Sequence, residues 1–458
     1  MYARLNDQFV LRGWKGSPYG LTDTKTGQTM FLNEAVFQAA CFCDGSTDLT
    51  SPLALPVHQQ AVKQLIQKGI AASCAGGTGL ASHQQYRQAD NRYVASVHWS
   101  ITGRCNLRCR HCFMAAPDAK YGQLDTADCL SIIEQIAEAN IGQVSLTGGE
   151  PLVRNDFWQL VDALQNRHIV ISQIHTNGVL VTDELLEEFR RRDLTCGFTL
   201  SFDGCGCHDW LRGVPGAESA AVAAIRCLRR AGFSVGIETT LHKGNLDRLG
   251  DTYEFLRDLG VSRWKTSPAA GVGSWEREKG QYDLTIEELY EAYLELIPRH
   301  RRDGAPMSMM LGGFYRCAAG SDQYEIPFVK YDGTQDVLNQ LACRSCRTHL
   351  YIMADGKLLP CIPMTDTPVE AAMPSLLATT ISQVMAGSSY FDLIDTRLEE
   401  LFAREDECRI CEQRLRCGKG CRAGALHHTG DFLGMDAHGC YFFKQGYEEK
   451  VKNAAAIS

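Results

Sequence analysis

The residues best suited to chemistry lie in Ser100–Pro117, SITGRCNLRCRHCFMAAP, where Cys105, Cys109 and Cys112 form a Cys-x3-Cys-x2-Cys pattern. Three thiolates this close can hold three irons of a four-iron, four-sulfur cube and leave the fourth iron without a protein ligand. An open iron is a place for chemistry, whereas a fully ligated cube mostly carries electrons. A zinc knuckle is the competing reading. Structural zinc takes four protein ligands, and no fourth Cys or suitably spaced His follows the triad closely.

A second field of eight cysteines lies near the C-terminus. It reads Cys343-x2-Cys346-x9-Gly356-x4-Cys361, then Cys408-x2-Cys411-x5-Cys417-x3-Cys421-x18-Cys440. Eight thiolates suffice for two fully ligated cubes; zinc ribbons, which also use Cys-x2-Cys pairs, are the alternative. The chain holds twenty cysteines in all, and its N-terminus, MYARLNDQFVLRGW, lacks the apolar core of a signal peptide. In a long chain without such a signal, clustered cysteines point to metal or catalysis in a reducing compartment rather than to disulfides. Most of the nine scattered ones read as small buried hydrophobes.

The elements that must position the first triad alternate regularly. Tyr93–Ile101 reads as a strand leading into the cysteine loop. Helix Thr126–Ala139, strand Gln143–Thr147, helix Asp156–Asn166, strand Val170–Thr176 and helix Thr182–Arg191 follow. Then come strand Cys196–Asp203, helix Glu218–Ala231, strand Ser234–Leu241, helix Leu246–Leu259 and strand Arg263–Ser267. Such alternation predicts parallel strands with right-handed crossovers, a partial (β/α)6 TIM-like barrel within an α/β fold. Reactive groups in such folds gather at the carboxyl ends of the strands. There the sequence places Gly148-Gly149-Glu150, His175-Thr176-Asn177-Gly178 and Ser201-Phe202-Asp203-Gly204. Two glycines would let backbone approach a ligand, Glu150 could accept from an ammonium group, and Ser201 and Asp203 could hold sugar hydroxyls.

Flanking segments differ in character. Phe9–Trp14, Tyr19–Asp23 and Met30–Leu32 read as short strands, and helices follow near Val36–Cys41 and over Pro56–Lys68. Ile70–Gly79 reads as a small β wing, and polar Ala81–Arg92 as a linker. Tyr351–Met353 and Lys357–Leu359 read as a hairpin, with helices at Ile381–Met385 and Asp392–Leu401. At 458 residues the chain is long enough for two or three domains. We expect boundaries at 1–90, 96–310 and 311–450. A net charge of −8 gives no basic footprint for nucleic acid. No run of 18 apolar residues suggests a membrane span, so the expected location is the cytoplasm.

Read together, the Cys-x3-Cys-x2-Cys loop and the three strand-end motifs over residues 96–310 resemble the radical S-adenosylmethionine enzymes. The resemblance implies that Cys105, Cys109 and Cys112 hold the catalytic cluster, whose open iron chelates S-adenosylmethionine. Gly148, Gly149 and Glu150 match the motif that meets the methionine amine. Ser201 and Asp203 match the ribose region, Asn177 falls in the same pocket, and His111 takes the position near the adenine. Reductive cleavage of the cofactor would yield a 5′-deoxyadenosyl radical that abstracts a substrate hydrogen. Phe202–Gly216, FDGCGCHDWLRGVPG, resembles the strand-four loop of one subgroup, in which Arg212 could pair with a carboxylate of cofactor or substrate; a solvated loop arginine is the alternative.

The C-terminal field resembles the SPASM extension of that family. Its interleaved ligation assigns Cys343, Cys346, Cys361 and Cys421 to one auxiliary cluster, with Cys317 competing for the place of Cys343. Cys408, Cys411, Cys417 and Cys440 would hold the other. The N-terminal phrase LNEAVFQAACFCDGSTDL resembles the winged-helix-like recognition element of ribosomal-peptide maturases, which binds a precursor's leader along a sheet edge. A plain extension packed on the barrel is the alternative.

The order of these parts implies a maturase that crosslinks a ribosomally made peptide, through a C–C or thioether bond, by net oxidation. A flavodoxin or ferredoxin would supply electrons. Epimerisation is a variant, with Cys205, Cys207 or Cys317 as hydrogen donor and Asp203 as a further catalytic candidate. Sulfatase-type formylglycine maturases place an Asp after the cysteine of Gly-x4-Cys; here Ile362 stands there. A non-catalytic iron–sulfur electron carrier is the reading from another class.

Overall fold

The computed structural model describes residues 1–278 and 280–456. The chain opens with strands β1 (Tyr2–Leu5), β2 (Phe9–Trp14), β3 (Ser17–Asp23) and β4 (Thr29–Phe31), then helices α1 (Glu34–Cys41) and α2 (Pro56–Gln67). Asn33 caps α1 by accepting from the Val36 amide. The expected wing is real but pairs elsewhere. Strand β5 (Ala71–Cys74) lies antiparallel to β1, which the sequence reading left without structure. These elements enclose a small core of their own, which includes Leu5, Leu11, Leu21, Phe37, Val62 and Leu65.

The segment read as a linker is a strap. Gln84 is fully buried; its amide donates to Asn6 O and Phe9 O, and its carbonyl accepts from Ala81 N. Strand β6 (Arg87–Gln88) then joins β2 in parallel, giving a sheet of order β4-β3-β2-β6. The segment's polar composition reflects hydrogen bonding to the N-terminal strands and, through Arg87 and Asn91, to the end of α3, which composition alone cannot tell from solvation.

The barrel follows the expected alternation. Its strands are β7 (Ser96–Ser100), β8 (Gln143–Thr147), β9 (Val170–Thr176), β10 (Gly197–Ser201), β11 (Val235–Leu241) and β12 (Arg263–Pro268), all parallel. Helices α3 (Thr126–Glu138), α4 (Phe157–Asn166), α5 (Asp183–Arg191), α6 (His208–Arg212), α7 (Ala217–Arg230) and α8 (Leu249–Asp258) connect them. The structure extends this sheet at both edges. After α9 (Ile286–Arg302), β13 (Ser308–Leu311) runs parallel to β12 and carries the antiparallel β14 (Tyr315–Cys317) and β15 (Tyr324–Glu325). At the other edge, a short helix α10 (Ser345–Thr348) feeds β16 (His349–Ile352), which runs parallel to β7 and forms the expected hairpin with β17 (Leu358–Leu359). The Cys-rich region is therefore built onto the barrel edge beside the cysteine loop. It shares the barrel's core through Leu350, Ile352, Met385 and Phe442. The expected helix over Asp392–Leu401 is two, Ser389–Ile394 and Leu398–Phe402.

Alternation along the strands sorts side chains between helices and lumen. Trp264 and Thr266 point outward, Trp264 donating to Thr239 Oγ1 and Thr266 to Tyr293 Oη. Their neighbours Arg263, Lys265 and Ser267 face inward. Among the described residues, no helix is long and apolar enough to cross a membrane.

The N-terminal module is bolted to the end of α3. The indole of Trp14, fully buried, donates to Ala139 O at 3.1 Å. Asn140, at φ 55°, donates to Gly13 O and Arg87 O and accepts from the Arg87 guanidinium at 2.7 Å. Gly27 and Gly142 meet backbone to backbone, and a Cβ on Gly27 would lie 2.4 Å from Gly142 O. Replacing Asn140 with Ala strands these partners at a cost of about 2 kcal/mol. The expected result is faster cleavage within residues 81–95 by limited proteolysis, with the barrel intact; an unchanged cleavage rate would show that Asn140 does not hold the module.

Candidate active site at the cysteine loop

The cysteine loop leaves β7 and is gripped by the carboxyl ends of three other strands. From β8, the Gly149 amide donates to Thr102 O and the Glu150 amide to Arg104 O, both at 2.8 Å. From β10, α6 accepts from the loop: Arg108 N reaches Arg212 O and Arg110 N reaches Leu211 O. Beyond β12, Ser274 N donates to Cys112 O at 3.0 Å. Each grip needs a glycine. A Cβ on Gly148, Gly149, Gly213 or Gly273 would fall between 2.1 and 2.4 Å from a backbone carbonyl of the loop. The expectation that Gly148 and Gly149 admit a ligand therefore acquires a different physical content. Their open face is filled by Thr102 and Arg104 of this chain.

The three sulfurs are surrounded by donors. Leu107 N reaches Cys105 Sγ at 3.4 Å, Ala116 N reaches Cys112 Sγ at 3.3 Å, and Arg212 Nη1 reaches Cys109 Sγ at 3.8 Å. Asn177 Nδ2 is also 3.8 Å from Cys105 Sγ. Such donors suit thiolates that carry cluster charge, and they tune a cluster's potential. Among the described residues, no three His, Cys, Asp or Glu side chains converge as ligands of a single metal ion. A cube instead takes each thiolate at a separate corner iron.

Glu150 is fully buried and accepts from Leu152 N, Thr176 Oγ1 and Asn177 N, the last at 2.7 Å. Burial raises its pKa to about 7 against the pull of those donors. A carboxylate so placed has lone pairs left for an ammonium group. Asn177 also donates to Asn106 Oδ1 at 2.7 Å, which ties β9 to the cysteine loop. His111 is held near a pKa of about 3, by burial first and by Arg212 next, and its Nδ1 is buried without a partner.

The structure joins Asp203 and Arg212 to each other. Asp203 accepts from Arg212 Nε and Nη2 at 2.8 and 3.0 Å, lies 2.9 Å from His208 Nδ1, and accepts from Thr240 N. Burial alone would raise the Asp203 carboxyl, but Arg212 and His208 hold it well below the usual range. Asp203 thus anchors Arg212, which in turn reaches Cys109. Sequence reading singled out His208 only as part of a matching loop; its contact with Asp203 needs the turn at Gly204–Cys207 to be seen. Ser201 stands half-exposed at the end of β10. Cys205 and Cys207 lie in the following turn, with Cys207 Sγ 3.5 Å from Gly244 O. Cys317 is elsewhere. It lies in β14 opposite Met309, near the amino ends of the strands, and its thiol is 3.4 Å from Ala318 O and from Ser321 O.

The second field gathers into two groups. Cys346 is within thiol hydrogen-bonding reach of Cys343 and Cys361 and close to Cys421. Cys408 and Cys417 interact with Cys440, and Cys440 with Cys411. Cys317 is absent from both groups. Asp436 spans the two, accepting from Cys421 N at 2.8 Å while capping the helix Ala437–Lys444 that carries Cys440. Tyr390 is fully buried beside Cys346 and Cys361, and its hydroxyl has no partner among the described residues. An orphaned buried hydroxyl costs about 1–3 kcal/mol unless something accepts from it; a cluster sulfur there would.

Gly149→Ala should break the first triad selectively, because its Cβ would lie 2.1 Å from Arg104 O, a backbone atom. After anaerobic reconstitution the variant should hold about four fewer irons per chain than the wild type. Full iron content would show that the close packing is dispensable.

Comparison with known proteins agrees with this geometry. The radical SAM superfamily matches residues 99–256. An AdoMet-dependent heme synthase of Methanosarcina barkeri is 28% identical over 352 residues, spanning 75% of this chain and 96% of that protein. The PqqA peptide cyclase of Gluconobacter oxydans is 26% identical over 339 residues, 73% of this chain and 87% of that one. In three dimensions, Streptococcus suis SuiB bound to precursor peptide SuiA shares the fold with a TM-score of 0.64 at 14% identity, covering 96% of this chain and 99% of that one. Residues 99–256 of the chain thus carry a radical SAM domain.

Proposed function

We propose that this chain is a radical S-adenosylmethionine maturase that oxidises a ribosomally made precursor peptide and installs a crosslink in it. The observation that carries the reading is the docked N-terminal module with an open sheet edge. Strand β4 has no partner beyond β3, and its Met30 and Phe31 are 47% and 50% exposed. An unpaired edge with exposed apolar side chains suits an added peptide strand. The likeness to SuiB, whose structure holds a precursor peptide, extends over nearly the whole chain. The similarity to the heme synthase leaves a quarter of the chain uncovered.

The residues divide the work. Cys105, Cys109 and Cys112 would hold the cluster with the open iron, and Glu150 and Asn177 would orient the methionine end of the cofactor. When bound, these groups supply a 5′-deoxyadenosyl radical that removes a hydrogen atom from the substrate. Arg212, fixed by Asp203, places positive charge on Cys109. The groups Cys343–Cys346–Cys361–Cys421 and Cys408–Cys411–Cys417–Cys440 fit two auxiliary clusters of SPASM type, one of which would accept the electron released on oxidation. A flavodoxin or ferredoxin would reduce the first cluster. Cys205 and Cys207, on the same side of the barrel as the cysteine loop, would be the donors if the product is an epimer; Cys317 lies near the amino ends of the strands.

A second reading, oxidation of a tetrapyrrole side chain, is favoured by the sequence similarity to AdoMet-dependent heme synthases. It gives no role to the open edge of β4. Anaerobic incubation with S-adenosylmethionine and dithionite tests the enzyme: 5′-deoxyadenosine should form, and replacing Cys105, Cys109 and Cys112 with Ala should abolish it while leaving leader binding intact. Failure of the wild type to make 5′-deoxyadenosine, with or without peptide, would leave only the electron-carrier reading. Met30→Asp with Phe31→Asp should weaken leader binding by tenfold or more, about 1.4 kcal/mol; unchanged affinity would remove the recognition role of that edge.

A further inference from the structure

Beneath the cysteine loop, the barrel lumen holds five titratable side chains that have no role in the account so far. They are His98 on β7, His175 on β9, Glu238 on β11, and Arg263 and Lys265 on β12, Arg263 donating to Thr199 Oγ1 at 2.7 Å. Glu238 and Lys265 stand opposite each other on adjacent strands and form a 3.0 Å ion pair. Their side chains remain 43% and 41% exposed, although helices cover the outer face of these strands, so the space they face is open to water. His98 Nδ1 lies 2.5 Å from Ser145 Oγ, and the rings of His98 and His175 meet edge to face at 4.8 Å.

His175 owes its direction to a bulge. The register between β8 and β9 slips between Val144 and Ser145, so Ser172 is extra and both Gln173 and His175 face the lumen. Unlike His98, His175 has no hydrogen-bond partner among the described residues. Its free ring nitrogens stand one residue below Thr176 and two below Asn177, which meet Glu150 and the cysteine loop. Burial lowers the His175 pKa to about 4, as do Lys265 and Arg263, while Glu238 raises it. His98, held at about 3 by burial and then by His175, is neutral as well. The lumen therefore presents a neutral imidazole with an anion nearby to favour its protonated form.

We propose that His175 is the proton acceptor of the oxidation, oriented by His98 and charge-balanced by the Glu238–Lys265 pair. The inference rests on the peptide-oxidation reading above, and its substrate is a peptide residue that carries a hydrogen-bearing heteroatom or aromatic carbon, X–H. The C–H bond of the substrate gives its hydrogen atom to the 5′-deoxyadenosyl carbon. A C–X bond forms and the X–H bond breaks. The proton passes to a ring nitrogen of His175, and the remaining electron to an oxidised iron–sulfur cluster. Once that electron leaves, the X–H proton is strongly acidic, so a weak base suffices.

His175→Gln keeps the side chain's polarity and removes its basicity. With iron content and leader affinity unchanged, the variant should still make 5′-deoxyadenosine with peptide, but crosslinked product per 5′-deoxyadenosine should fall roughly a hundredfold. Added imidazole should restore product in His175→Ala. A second readout needs no cofactor: diethyl pyrocarbonate should modify His175 in the free protein, mapped by mass spectrometry, and bound peptide should protect it. A wild-type product ratio in His175→Gln, a parallel fall in product and 5′-deoxyadenosine, or a His175 that peptide does not protect would each overturn the assignment. A wild-type protein that makes 5′-deoxyadenosine but leaves its peptide unoxidised would overturn the oxidation reading itself, and this base with it.

Discussion

The contact on which the site depends is the packing of the cysteine loop against the turn after β8. Two backbone hydrogen bonds, Gly149 to Thr102 and Glu150 to Arg104, are possible only because no Cβ stands between the two chains. The same contact fixes three things. It holds the start of the loop that presents Cys105, it buries Glu150 against β9, and through Asn177 it closes the ring back to Asn106. Arg212 completes the frame from β10 by meeting Asp203 and Cys109 together. Such a buried pair is costly to break, about 3–5 kcal/mol if one partner is removed, so the sulfur environment is set by the fold before any cofactor binds.

From this centre the chain extends in two directions. The C-terminal cysteine groups are attached through β16, which pairs with the strand that carries the cysteine loop. Electron acceptors held there would lie along one edge of the barrel. The N-terminal module is fixed to the end of α3 and the start of β8, where Trp14 meets Ala139, Gly13 meets Asn140 and Gly27 meets Gly142. The lumen, lined by His98, His175, Glu238 and Lys265, would receive the reacting residue.

Much of this was legible in the sequence because strand-end motifs and cysteine spacings are local. All six core strands and, α6 apart, the helices between them lie where periodicity placed them, and the eight C-terminal cysteines gather in the groups that the resemblance to the SPASM extension implied. What escaped depends on contacts between distant segments. Strand β1 pairs with residues nearly seventy positions on. The strap 81–92 looks like a polar linker because its polar groups are spent on the N-terminal strands and the end of α3. Asp203 and Arg212 each looked like ligand residues, and only the turn between them shows that they meet. His175 read only as part of a strand-end motif, because a single-residue bulge, invisible to a period of two, decides which way it points.

The most direct test of the account is the mass of the peptide product. The protein would be given S-adenosylmethionine, a reductant and a candidate precursor peptide, without oxygen and in deuterated water. A product two hydrogens lighter, free of solvent deuterium, is the predicted result. A product of unchanged mass apart from one incorporated deuterium, or an untouched peptide despite 5′-deoxyadenosine formation, would contradict it.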